Sequence, residues 1–162
     1  MVVIRLHDSW ARFCRELVIL SACGRITTLS GVLIPPCHNS ATRHHLVIPY
    51  LFTTPGRRYR WEPRWADATA CIEAATRLGI ANLPTVSAAL AATNSPAENI
   101  RRVRNFYAHR MKRSVQDALA TGVFAHTSRA SVFDLAAYTT GNVRIIESWV
   151  NGLMLVATAA AQ

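Results

Sequence analysis

Ser95-Pro96-Ala97-Glu98 marks a helix start more sharply than any other stretch of this chain. The serine can accept a hydrogen bond from a backbone N–H of the first turn, and the fixed φ of proline suits the first helical position. A glutamate three residues after the serine can complete a capping box. Ile100, Val103, Tyr107, Met111, Val115 and Ala118 follow at helical spacing, so the pattern predicts one helix from Pro96 to about Ala120, with Gly122 as its stop. A helix of that length with a continuous apolar stripe has to bury it against other elements, and here those are also helical.

Leu6, Trp10, Phe13, Cys14, Leu17, Val18 and Ser21 predict a first helix from Leu6 to about Cys23, ended by Gly24. A second starts at Pro63 and ends at Gly79, with Trp65, Ala68, Cys71, Ile72, Ala75 and Leu78 on its apolar face. A shorter helix spans Pro84–Ala92. Beyond the capped helix, SRASVFDLAAY reads as one short helix and the segment after Gly141 as a longer last one. The expectation is an all-α bundle of about five helices forming one domain over residues 1–162. Residues 25–62, rich in proline, glycine and short extended runs, read as a long irregular loop or a small β-like excursion, and unstructured loops of that length are usually functional.

Net charge is +9, and 17 of the 18 basic residues are arginine. Guanidinium matches phosphate geometry and stacks on bases, which favours an anionic partner such as RNA or DNA, although the codon bias of a G+C-rich genome also enriches arginine. Hydrophobic residues make up 51% of the chain and charged ones 17%, so it folds around a core. Cys14, Cys23, Cys37 and Cys71 show no CxxC spacing and read as small core residues in a reducing compartment. No signal peptide or membrane span is read, and the expected location is the cytoplasm.

On an ideal helix, Arg102, Asn105, Phe106, His109 and Arg113 share one outward stripe opposite the core face. Arg104 falls instead among the apolar residues, where a charge must be paired, must snorkel or must face an interface. Local rules are broken mostly at functional or strained sites, so this misfit singles Arg104 out.

Arg104-Asn105-Phe106-Tyr107-Ala108-His109 resembles the RNxxxH form of the R-x4–6-H motif of the HEPN superfamily, small helical bundles of bacterial toxins and defence systems. The resemblance implies a HEPN-like bundle and a metal-independent endoribonuclease without cofactor, acting as a toxin or in antiviral defence. It further implies a C2 homodimer in which two motif helices share one RNA phosphodiester, and a cognate antitoxin such as a minimal nucleotidyltransferase. Arg104, Asn105 and His109 are then the catalytic set: His109 as general base or acid, Arg104 bracing the phosphorane, Asn105 orienting the imidazole or the phosphate. Histidine and arginine lie about 140° apart around an ideal helix, so a symmetric partner or a local distortion has to bring them together.

Arg101, Arg102, Arg110 and Arg113 beside the motif are expected to contact RNA, as are Arg57, Arg58 and Arg60, which interleave with Tyr59 and Trp61 in the loop. The competing structural reading has Trp61 and Trp65 anchoring the loop while those arginines stay solvated. Cys37-His38 and His44-His45 fit no common zinc spacing, and no metal site is expected. GxSxG, Walker and Rossmann patterns are missing from the sequence. Two further readings stand beside the nuclease: a non-catalytic HEPN-like dimer that binds RNA or a partner protein through a cationic groove, and a helical DNA-binding module, disfavoured because no helix-turn-helix spacing is evident.

Overall fold

A computed structural model describes residues 2–37, 47, 62–92, 95–109, 111–121, 139–140 and 143–162. These residues are all-α in character: helices α1 (Val2–Ala22), α2 (Ala68–Leu78), α3 (Leu83–Leu90), α4 (Ala97–His109), α5 (Lys112–Leu119) and α6 (Ile145–Ala160) carry the fold. Between α5 and α6, β1 (Thr139–Thr140) pairs antiparallel with β2 (Val143–Arg144), Thr139 opposite Arg144 and Thr140 opposite Val143. The sequence pattern had not predicted that short ribbon. The expected SRASVFDLAAY helix, the Gly122 stop and most of the expected 25–62 loop lie outside the described residues. Among the described residues no helix is long and apolar enough to cross a membrane.

α1 is the central element. Val3, Trp10, Cys14, Leu17, Val18 and Ser21 are buried at helical spacing, and the helix packs against α2, α4 and α6. It starts at Val2, four residues before the expected Leu6. At its end the Arg25 N–H donates to the Leu20 carbonyl at 2.9 Å and the Gly24 N–H to that of Ser21 at 3.1 Å, with Gly24 at φ 65°. This crossed pair is the usual way a left-handed residue closes a helix. Cys14, Cys23 and Cys71 are buried as expected, and all four cysteines are free. The Cys14 thiol lies beside that of Cys71, whose hydrogen bond, together with burial, pushes Cys14 far above the ordinary thiol range and keeps it protonated.

α2 corrects an expected boundary. Pro63 does not open the helix; Asp67 does, its Oδ1 accepting from the Thr69 and Ala70 N–H groups at 2.9 and 3.2 Å. A carboxylate there also meets the positive end of the helix dipole. Trp65 is buried as expected but in the turn before the helix, and Gly79 closes the helix at φ 63°.

The capped helix also departs from expectation. The Ser95 hydroxyl accepts from the Ala97 N–H at 3.4 Å, but Glu98 turns away from the cap to pair with arginines, so only half of the capping box forms. The helix does not reach Ala120. α4 ends at His109, Met111 takes an extended conformation (φ −81°, ψ 154°), and α5 begins at Lys112. Met111, expected in the core, is 61% exposed, whereas Ser114 and Ala118 are buried. Ile100 and Val103 join the common core with residues of α1, α2, α3 and α6. Burying a side chain of that size stabilises by about 1.5–3 kcal/mol, which anchors α4 firmly beside α1.

Candidate functional site

α1 and α4 pack directly on each other, and the segment before α2 closes one end of their seam. That segment is clamped in place. Glu62 accepts from Arg15 Nε at 3.0 Å and from Trp65 Nε1 at 2.9 Å, and the Cys71 thiol donates to the Trp65 carbonyl at 2.9 Å. The Glu62 carboxylate holds the Arg15 guanidinium above its usual pKa range. Trp65 thus anchors the chain, as the structural reading of that loop proposed. Trp61, Arg57, Arg58 and Arg60 lie outside the described residues, as do His38, His44 and His45. The Cys37 thiol donates to the Ala22 carbonyl at 3.2 Å.

The seam opens into a cleft of about 370 Å³ lined by His7 and Ala11 of α1, by residues 64–67, and by Arg101, Arg104 and Asn105 of α4. The structure therefore brings two of the three expected catalytic residues, Arg104 and Asn105, to one cavity. Arg104 Nη1 donates to Asn105 Oδ1 at 3.3 Å, so the residue expected to orient the imidazole or the phosphate also touches the guanidinium. Arg104 Nε is buried and has no hydrogen-bond partner among the described residues. Among the described residues no acid forms an ion pair with Arg104.

His109 stands apart. It is the last residue of α4, exposed, one turn beyond Asn105, and does not line the cleft. A histidine there suits the negative end of the helix dipole. Phe106, expected on the outward stripe, is 5% exposed and packs in the core, its ring 5.2 Å from that of Tyr107. The outward stripe is thus Arg102, Asn105 and His109 without an aromatic. Arg113 is exposed on α5, beyond the helix break, and Arg110 lies outside the described residues.

Arg101 and Arg102 are already engaged. Glu98 accepts from Arg101 Nε at 2.7 Å and Nη2 at 2.6 Å, and from Arg102 Nε at 2.8 Å. The Arg101 guanidinium, then Arg102, holds the Glu98 carboxyl below its usual range, and the same carboxylate raises Arg101. Because Glu98 is depressed, its contribution to stability is fully present above its unfolded pKa, near pH 4.5, and is lost as the pH falls through the lower folded value. Both partners are more than a third exposed, so a Glu98→Gln variant is expected to lose only about 0.5 kcal/mol at pH 7. Urea unfolding at pH 7 and pH 3 checks this, since the difference from the native chain should shrink at the lower pH.

Sequence reasoning passed over His7. The signal was present: at 100° per residue His7 falls inside the stripe of Val3, Cys14 and Val18, so it breaks the apolar face of α1 as Arg104 breaks that of α4. Its side chain is 17% exposed, and its Nδ1 lies 3.3 Å from Asp8 Oδ1. Among the described residues no group of three or more potential metal ligands comes together. Comparison with protein-family models, with curated proteins and with solved structures finds no match.

Proposed function

We propose that the protein is a HEPN-type, metal-independent endoribonuclease, a toxin or antiviral defence effector, whose site is completed by a second copy of the chain. The observation that carries the reading is the buried, unpartnered Nε of Arg104 at a cleft it shares with Asn105, one helical turn before an exposed histidine. A guanidinium with spare donors in a partly dehydrated cleft suits a phosphorane, whose charge grows in the transition state.

In the proposed reaction His109 takes the proton of a ribose 2′-hydroxyl as the 2′ oxygen bonds to phosphorus. The bond to the 5′ oxygen then breaks and that oxygen takes a proton from the imidazolium of the dimer's second His109, leaving a 2′,3′-cyclic phosphate and a 5′-hydroxyl. His109 and Arg104 diverge around α4, so the imidazole acting on one Arg104 comes from the twin subunit of a C2 dimer. Met111, 61% exposed and two residues beyond the end of α4, supplies apolar surface for such an interface. The separation of His109 from the cleft also favours the second reading, a non-catalytic dimer whose cationic groove binds RNA or a partner protein.

Incubation of purified protein with structured RNA in EDTA tests the proposal. The native chain should leave cyclic-phosphate ends, and His109→Ala should lose cleavage by at least about 100-fold while retaining its circular dichroism. Binding without cleavage in both would sink the nuclease reading and leave the groove. Analytical ultracentrifugation should show a dimer; a monomer at every concentration would remove the shared site.

A further inference from the structure

The apolar faces of α1 and α4 each carry a titratable or charged intruder, and these two meet at the same cleft. His7 comes from α1 and Arg104 from α4. Such side chains disturb a helix–helix seam unless something supplies the interactions they lack. Around them the lining is cationic. Arg64, Arg101 and Arg104 face a single lining acid, Asp67, whose carboxylate is already committed to two N–H groups of α2. Arg101 is held by Glu98, which leaves Arg64 and Arg104, without an ion-pair partner among the described residues, as the cations with donors to give. The ligand that completes this set is an acceptor with several oxygens and negative charge.

We propose that the α1–α4 cleft binds a phosphate group and that His7 is its proton-dependent ligand. Arg104 and Arg64 supply fixed charge, and the His7 ring adds a second donor and a positive charge when protonated. The titratable and charged groups facing that ring are Asp8 on its own helix, Arg64 and Asp67 on the clamped segment, and Arg101 and Arg104 on α4. The arginines hold their charge throughout the range in which histidine titrates, so the change in binding between pH 5.5 and 8 belongs to the imidazole. The inference deepens the ribonuclease reading, on which it rests for the identity of the phosphate as part of an RNA chain; phosphate capture itself needs no cleavage.

A suitable probe is a deoxydinucleotide, whose single phosphodiester keeps one negative charge over this pH range and has no 2′-hydroxyl to react. Titrated into the full chain and followed by the histidine ring signals in NMR, it should shift one ring that disappears in His7→Gln. Its affinity should fall about tenfold from pH 5.5 to pH 8 in the native chain and hardly change in His7→Gln. Arg64→Gln, at an exposed side chain that folding tolerates, should weaken binding at both pH values, whereas Arg25→Gln, beyond the far end of α1, should not. Inorganic phosphate and a 2′-O-methyl oligonucleotide are the companion probes: equal affinity for both assigns the site to a free anion, and tighter oligonucleotide binding assigns it to RNA. No shift of the His7 ring with any probe, or equal losses in Arg64→Gln and Arg25→Gln, would overturn the proposal. Phosphodiester binding that persists in a chain unable to cleave RNA would leave the cleft assigned and remove only the nuclease.

Discussion

An Arg104→Met variant is expected to be more stable than the native chain and inactive on RNA. The two effects have opposite signs because they have one cause. Arg104 Nε is buried with no acceptor among the described residues, and a donor in that state costs about 1–3 kcal/mol relative to one that is bonded or absent. Methionine keeps the apolar stem and removes the orphaned group. Loss of the Nη1 contact to Asn105, long at 3.3 Å, returns little of that gain. A net stabilisation of about 1 kcal/mol should raise the melting temperature by about 2–4 °C in calorimetry. The same substitution deletes the charge proposed to brace the phosphorane, and cleavage should fall by at least about 100–1,000-fold. A lower melting temperature would show that the native guanidinium has a partner on folding, and surviving cleavage would remove Arg104 from the chemistry. Both expected changes together describe a site kept at the expense of stability.

The sequence was informative where a local signal and the tertiary packing agreed. Ser95 and Pro96 announced α4 because capping is settled within a few residues, and the buried stripe of α1 was legible because one period runs through it. The end of α4 was not foreseen, since no glycine or proline marks it. Only the basic run His109-Arg110-Met111-Lys112-Arg113 hinted that the helix ends there, with positive charge gathered at its negative pole. The break buries Ser114 and exposes Met111 while Ala118 stays in the core, a choice made by packing across the bundle. Arg104 was recognised as misplaced from its helical phase alone. His7 escapes notice because the stripe of α1 is read from its apolar members, and a polar residue at the same phase is not counted among them. The cleft itself follows from how two helices and a clamped turn meet, which no single stretch of sequence encodes.

Gly24→Ala is expected to destabilise the protein by about 3 kcal/mol or more, about two to three times the cost of Gly79→Ala. Both glycines close helices in the left-handed region, at φ 65° and 63°, so an alanine in either place pays the same conformational penalty of about 1–2 kcal/mol. They differ in what a Cβ would meet. At Gly79 nothing lies within 4 Å, whereas at Gly24 the new atom would sit 2.6 Å from Pro36 Cδ and 2.7 Å from Pro36 N. Proline cannot swing its ring clear, because Cδ is bonded to the backbone nitrogen that is itself in the way. The chain through Pro35, Pro36 and Cys37 must therefore move. That motion loosens the Ala22 carbonyl from both the Cys37 N–H at 3.1 Å and the Cys37 thiol at 3.2 Å. In urea unfolding the midpoint should drop far more for Gly24→Ala than for Gly79→Ala, with the slope unchanged in both. Adding Pro36→Ala should recover only part of the Gly24 loss, since the backbone nitrogen remains within 2.7 Å after the ring is removed. Equal costs at the two glycines would mean that the turn after α1 gives way freely, and that the close approach of Pro36 does not hold the chain where α1 ends.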